Sequence, residues 1–236
     1  MIKVIATGSK GNAYVLQAGG EILLLELGIK FNDIKKALDF NLSNVVGALL
    51  THEHKDHCKA FRDVLKSGID IYTSIGTSRG IAEKSYIETY HRLHFVKSKE
   101  KFKVGGFTIL PFTTEHDTLE PLGFLIHHPA IGKVLFATDT YYLKYVFNNV
   151  DHILIECNYS ENVLTDLPPY RSRLLKSHMS LETLKDTLKT WDLKGTKDIT
   201  LIHMSENHGE PDHFREEVEK VTGVKTMVAV PGLEIN

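Results

Sequence analysis

Residues 49–57 read Leu-Leu-Thr-His-Glu-His-Lys-Asp-His, so three histidines and two carboxylates crowd into the short stretch 52–57. The residues before them, Val45, Val46, Ala48, Leu49 and Leu50, read as a short buried strand. Folding alone does not call for such crowding. In a still extended segment His52 and His54 project to one side, and Asp56 and His57 follow where the chain must turn. Imidazole and carboxylate suit zinc, manganese or iron, and this layout can feed two adjacent ions while a position stays open for water. A solvated polar loop is the ordinary reading of a lone histidine. For H-x-H-x-D-H directly after a strand, the metal site is favoured.

Three further polar residues close apolar runs in the same way: His116 after residues 109–115, Asp139 after 134–138, and His203 after 199–202. Each alone would be an ordinary polar group. Together they supply what the cluster lacks: a further histidine for one ion, a carboxylate able to bridge, and a histidine for the second ion. Two such ions suit hydrolysis of a phosphodiester, because they polarise a phosphoryl oxygen and stabilise both the attacking and the leaving oxygen. Asp56 is then the group to orient the attacking water or accept its proton.

Contacts to substrate are read from four places. The loop Thr7-Gly8-Ser9-Lys10-Gly11-Asn12 can bring its backbone, Ser9 and Asn12 to a phosphate, although an ordinary turn has the same composition. Arg171, Arg173 and Lys176 can guide a nucleic-acid backbone. Ser205 and Asn207, just beyond His203, can hydrogen-bond phosphate oxygens. Tyr141, Tyr142 and Tyr145 can stack on bases, although packing explains them equally well. His208 and His213 read as surface residues, and Cys58 as small packing rather than a ligand.

The elements that must position these groups follow from periodicity and punctuation. The start reads strand (4–6), glycine loop, strand (13–17), Gly19-Gly20 turn, strand (22–25). A helix capped by Asn32 is expected to run through Phe40, and one helix to run from the histidine cluster to about Lys66. Strands are expected at 70–73, 93–96, 107–111, 123–127, 133–137, 153–156 and 199–203, and helices within 77–84, over 180–191 and over 212–222. Leu181, Leu184, Leu188 and Trp191 form a core-facing stripe. Lys97, Lys99, Lys101 and Lys103 alternate as on a protected sheet edge. Strands precede helices in both halves, which suits an α/β chain with helices outside two facing sheets.

A chain of 236 residues without an evident linker is expected to form a single domain over 1–236. The formal net charge of −2 excludes a generally basic nucleic-acid-binding surface but not a local basic patch. Cys58 and Cys157 give no disulfide framework. No apolar stretch approaches the length of a membrane span, and the strand-like start lacks a signal-peptide pattern, so a cytoplasmic location and no membrane partner are expected.

These motifs resemble the metallo-β-lactamase fold superfamily, which carries H-x-H-x-D-H, a later lone His, a later Asp and a terminal His. The resemblance implies a four-layer αβ/βα sandwich: two mixed β-sheets face to face, helices outside, metals at one edge. It implies one ion held by His52, His54 and His116, a second by Asp56, His57 and His203, and Asp139 bridging them. Glu26 stands where that family has an aspartate, and orients a ligand at most. Gly8-Ser9-Lys10-Gly11-Asn12, Pro121-Leu122-Gly123-Phe124, Ile155-Glu156-Cys157-Asn158 and His203-Met204-Ser205-Glu206-Asn207 are similar, within the superfamily, to the YycJ (WalJ) group, whose members are described as DNA exonucleases. His178 resembles the histidine that phosphodiesterase branches set beside the scissile phosphate, where it donates to a phosphoryl oxygen or protonates the leaving group.

The expected cofactors are two divalent metal ions, zinc or manganese. The expected substrate is DNA, or alternatively a cyclic nucleotide or other small phosphodiester. A metal-stabilised binding protein without turnover is the reading from outside enzymes, and a homodimer stays open.

Overall fold

A computed structural model describes residues 1–82, 90–162 and 177–236. Its first sheet runs from edge to edge β14 (Glu234–Ile235), β1 (Ile2–Ala6), β2 (Ala13–Ala18), β3 (Glu21–Leu25), β4 (Val45–Leu49), β5 (Ile71–Thr73), β6 (Leu93–Phe95). The second runs β13 (Thr226–Val228), β12 (Asp198–Ile202), β11 (His152–Glu156), β10 (Gly132–Ala137), β9 (Leu122–His128), β8 (Phe107–Thr113), β7 (Phe102–Val104). The described α-helices are α1 (Phe31–Ala37), α2 (Lys55–Cys58), α3 (Phe61–Lys66), α4 (Ile75–Ala82), α5 (Leu181–Lys189) and α6 (Pro211–Thr222), and a 3-10 turn covers Tyr90–Arg92. Both sheets mix parallel and antiparallel pairs, as expected. Among the described residues no helix is long and apolar enough to cross a membrane.

Three apolar clusters account for the four layers. Tyr14, Leu16, Leu23 and Leu25 meet Phe107, Phe124 and Phe136 between the sheets. The alternate residues of the same strands, Ala13, Val15, Ile22 and Leu24, pack outward on Ile34, Phe61, Val64 and Ile81 of the helices. On the far side Leu135, Ile153 and Ile199 pack on Leu181, Leu184, Leu188, Phe214 and Val218. Central strands buried on both faces must be apolar at every position, which is why they read as runs rather than alternations. The stripe on α5 is core, and Ser180 caps that helix by accepting from the Thr183 amide at 3.0 Å.

The direction of the strands places the chemistry. β3, β4 and β5 are parallel, as are β10, β11 and β12, and β8 shares their direction because β9 is antiparallel to both β8 and β10. The carboxyl ends that carry His52, His116, Asp139 and His203 therefore gather at one edge.

Two helices differ from expectation. α1 starts at Phe31 after Lys30 rather than being capped by Asn32, and ends at Ala37, since Asp39 and Phe40 adopt left-handed backbone at φ 51° and 57°. The expected helix from the histidine cluster to Lys66 is broken into α2 and α3. The Asp56 carbonyl accepts from the Asn12 amide at 2.8 Å, and the Ala60 amide, which would have continued the helix to it, donates to Leu27 O at 2.8 Å. The break ties the histidine cluster to the glycine loop and to the end of β3. Short strands β7, β13 and β14 were outside the expected set; β7, an edge strand, carries Lys103 of the lysine series.

Candidate metal centre

His52, His54, His116 and Asp139 offer donor atoms that all lie within 4.8 Å of one another, and Asp56, His57 and His203 form a second such group. Asp139 lies between them. Its Oδ2 is 3.3 Å from His52 Nε2 and 3.0 Å from His57 Nε2, while its Oδ1 is 3.1 Å from His203 Nδ1.

The rings are aimed by their unused nitrogens. Thr51 Oγ1 holds His52 Nδ1 at 2.9 Å, and His116 Nδ1 donates to Ser177 O at 2.8 Å, so both present Nε2 to the cluster. Glu26, fully buried, has Oε2 3.3 Å from His57 Nδ1 and accepts from the Thr51 amide through Oε1. The longer side chain thus reaches the ring as an aspartate would from a nearer backbone. Glu26, Asp139 and His203 adopt left-handed backbone at φ 65°, 47° and 52°. Non-glycine residues there cost on the order of 1–3 kcal/mol each and persist where surroundings over-determine them. Each follows the end of a strand, and the turn directs its side chain into the shared edge.

Charge divides the histidines into two sets. Burial, reinforced by neighbouring imidazoles, pushes the pKa of His52 well below its usual value, that of His54 down to about 4, and that of His116 down. These three are neutral donors. Burial also works against protonation of His57 and His203, but Asp139 and the other facing carboxylates outweigh it, raising His57 well above the usual range and His203 to about 10. Asp139 and Asp56 are held well below the carboxylate range: burial opposes this, and the facing histidines prevail.

The donor set fits a divalent cation. His54 Nδ1 stands 3.1 Å from His52 Nε2 and 3.0 Å from His116 Nε2, and a single ring proton cannot serve both. His203 Nε2 is buried without a hydrogen-bond partner and faces Asp56 Oδ2 at 3.6 Å. A cation answers both the converging lone pairs and the orphaned nitrogen. An ion entering the second group displaces the proton of His203, so metal uptake is expected to release protons, with apparent affinity rising as pH rises toward about 10. Calorimetric titration in buffers of different ionisation enthalpy measures this; uptake with no proton release would contradict the charge assignment.

His178 sits beside the candidate ligand groups, its ring stacked on His203 at 5.3 Å between centroids and 5.4 Å from His116. Glu156 holds it, accepting from His178 Nδ1 at 2.7 Å with the oxygen that also lies 3.2 Å from His203 Nδ1. Burial lowers the His178 pKa, but the Glu156 charge and hydrogen bond more than offset this and raise it. In the sequence Glu156 stands out only within the Ile155-Glu156-Cys157-Asn158 motif. As a carboxylate closing an apolar strand, it carries the same signal as Asp139.

Next to His178 lies a cavity of about 330 Å³ whose lining includes Ser9, His203, Ser205, Asn207 and His208. The expected phosphate contacts Ser9, Ser205 and Asn207 are therefore brought together, and His208, read as a surface residue, joins them. Asn12 is not. It is fully buried, its amide committed to Gly8 N and O, Asp56 O and the His57 ring, so it braces the cluster rather than meeting a phosphate. Arg171, Arg173 and Lys176 lie outside the described residues. Tyr141 and Tyr142 are each about two-fifths exposed, whereas Tyr145 bonds Thr113. Cys58 donates to Glu53 O and takes no part in the ligand groups.

Fold and site together define a metal-dependent hydrolase. The chain belongs to the beta-lactamase superfamily domain family, whose model matches residues 34–204. It is similar to exodeoxyribonuclease YycJ of Bacillus anthracis, 24% identical over 99% of this chain and 93% of that protein. Exodeoxyribonuclease WalJ of Streptococcus pneumoniae is 26% identical over 87% of this chain and 81% of its own. The metallo-beta-lactamase fold protein YhfI from Bacillus subtilis superposes with a TM-score of 0.76 at 19% identity, covering 98% of this chain and 97% of that one.

Proposed function

We propose that this chain is a two-ion phosphodiester hydrolase acting on DNA as an exonuclease, with zinc or manganese as the metal. The observation that carries it is the junction at Asp139: two ligand groups share this carboxylate, and His178 stands over them beside a polar cavity. His52, His54 and His116 would hold one ion, Asp56, His57 and His203 the other. When bound, such ions polarise a phosphoryl oxygen and make water a nucleophile at neutral pH. Asp56, kept ionised by the facing histidines, would orient the attacking water from the carboxylate it turns toward His57 and His203. His178, fixed at Nδ1 by Glu156, which also raises its pKa, donates from Nε2 to the phosphate or to the departing oxygen. Ser9, Ser205 and Asn207 bind the other phosphate oxygens, and Arg171 and Arg173 attract the flanking backbone.

DNA as substrate is supported by the names of the two similar exodeoxyribonucleases, which cover most of this chain. A small phosphodiester is the competing substrate, consistent with the formal net charge of −2. Incubating the metal-loaded protein with labelled duplex DNA beside cyclic mononucleotides separates them: progressive shortening of DNA from its ends is expected, and turnover of cyclic nucleotides alone would overturn the DNA reading.

A further inference from the structure

A second concave surface lies on the flank of the histidine cluster. Lys30, Lys35, Lys59 and Lys66 line a cleft of about 660 Å³ with Asn32 and Ser67, and the single carboxylate among its lining residues is Asp63. In a chain whose formal net charge is −2, four ammonium groups around one cleft are a local reversal of sign. Lys30 and Lys59 are exposed, and no described carboxylate forms an ion pair with either.

The cleft is built into the metal centre's own scaffold. Lys59 directly follows α2, which carries Asp56 and His57. Lys30 ends the segment whose Leu27 amide donates to His57 O at 2.7 Å and whose Leu27 carbonyl accepts from the Ala60 amide. A Cβ on Gly28 would overlap the Asp56 carbonyl oxygen, so this segment lies directly against α2. Lys30 and Lys59 thereby stand two residues from Gly28 and His57, on backbone segments packed against each other beside the candidate ligands Asp56 and His57.

The geometry points to this cleft as the binding track for the nucleic-acid strand beyond the scissile phosphate. The inference rests on the proposed nuclease activity. A chain of phosphates is the ligand that meets several clustered lysines at once, and its binding gains from the counterions they displace. The cleft makes the protein discriminate by length: a substrate reaching only the metals gains nothing from it.

The test is the double variant Lys30→Ala/Lys59→Ala, read three ways. With His178→Ala added to prevent cleavage, binding of a long single-stranded oligonucleotide is measured at several salt concentrations. The slope of log K against log salt is expected to fall in magnitude by about 1–2, since each lost phosphate contact is worth roughly 0.7–0.9. With His178 intact, kcat/KM on the oligonucleotide is expected to fall about tenfold. Turnover of bis(4-nitrophenyl) phosphate, too short to enter the cleft, is expected at the parental rate, which also shows that the variant is folded. An unchanged salt slope, or equal losses on both substrates, overturns the track. If the metal-loaded parent cleaves no nucleic acid at all, the nuclease reading fails instead, and that result is visible before any lysine is changed.

Discussion

His178→Ala is expected to bind metal as the parent does and to lose turnover by on the order of 10²–10⁴-fold, the usual effect of removing a positioned acid. The ring's Nδ1 is committed to Glu156 at 2.7 Å, and the same carboxylate raises its pKa against the effect of burial, which leaves Nε2 as the nitrogen that would carry the transferable proton. The defect belongs in kcat, because a contact to the departing oxygen strengthens as charge develops there. A nitrophenyl phosphodiester, whose leaving group needs no proton, is expected to be spared most of the loss. Equal losses on both substrates would instead make His178 a clamp on a phosphoryl oxygen. The donor atoms of Asp139, Glu156, His178 and His203 also lie within 4.8 Å of one another, so loss of metal from the variant would make His178 a ligand and refute the acid assignment.

Asp139→Asn is expected to lose metal and activity together. The substitution keeps shape and removes the one charge that both ligand groups share: Oδ2 faces His52, His57 and His116, and Oδ1 faces His203. Changes to residues that merely support a ligand weaken metal binding roughly 10–100-fold, and loss of a shared ligand charge is expected to cost at least that. His54→Ala removes the nitrogen toward which His52 and His116 converge and is expected to empty the first group selectively. Metal analysis of the reconstituted variants measures both, and parental occupancy in both would sink the ligand assignment.

The candidate ligand groups were legible because a polar residue at the end of an apolar run is delivered by its strand to an edge; His52, His116, Asp139 and His203 all obey this. Glu156 obeys it too, but its work depends on His178 and His203 arriving from other segments, which no local pattern announces. Asn12 was misread for a related reason. Glycine loops that cradle phosphates and glycine loops that brace a helix look alike, and what decided between them was the Asp56 carbonyl, distant in sequence, which Asn12 takes from α2. That contact also explains the broken helix. Left-handed backbone at Glu26, Asp139 and His203 is likewise imposed by tertiary contacts against the preference of the residues themselves. The alternating, fully apolar and glycine-punctuated stretches gave strands and layers correctly, since burial on both faces constrains every position. β14, only two residues long, carries too little pattern to register.

The most direct measurement is phosphodiesterase activity of chelator-stripped protein as zinc or manganese is added back in known equivalents per chain. The stripped protein is expected to leave DNA intact, with cleavage appearing on addition and reaching its plateau at two equivalents. Cleavage by the stripped protein at the loaded rate, or no hydrolysis of any phosphodiester with both equivalents bound, would contradict the assignment of the cluster around Asp139 as the hydrolytic centre.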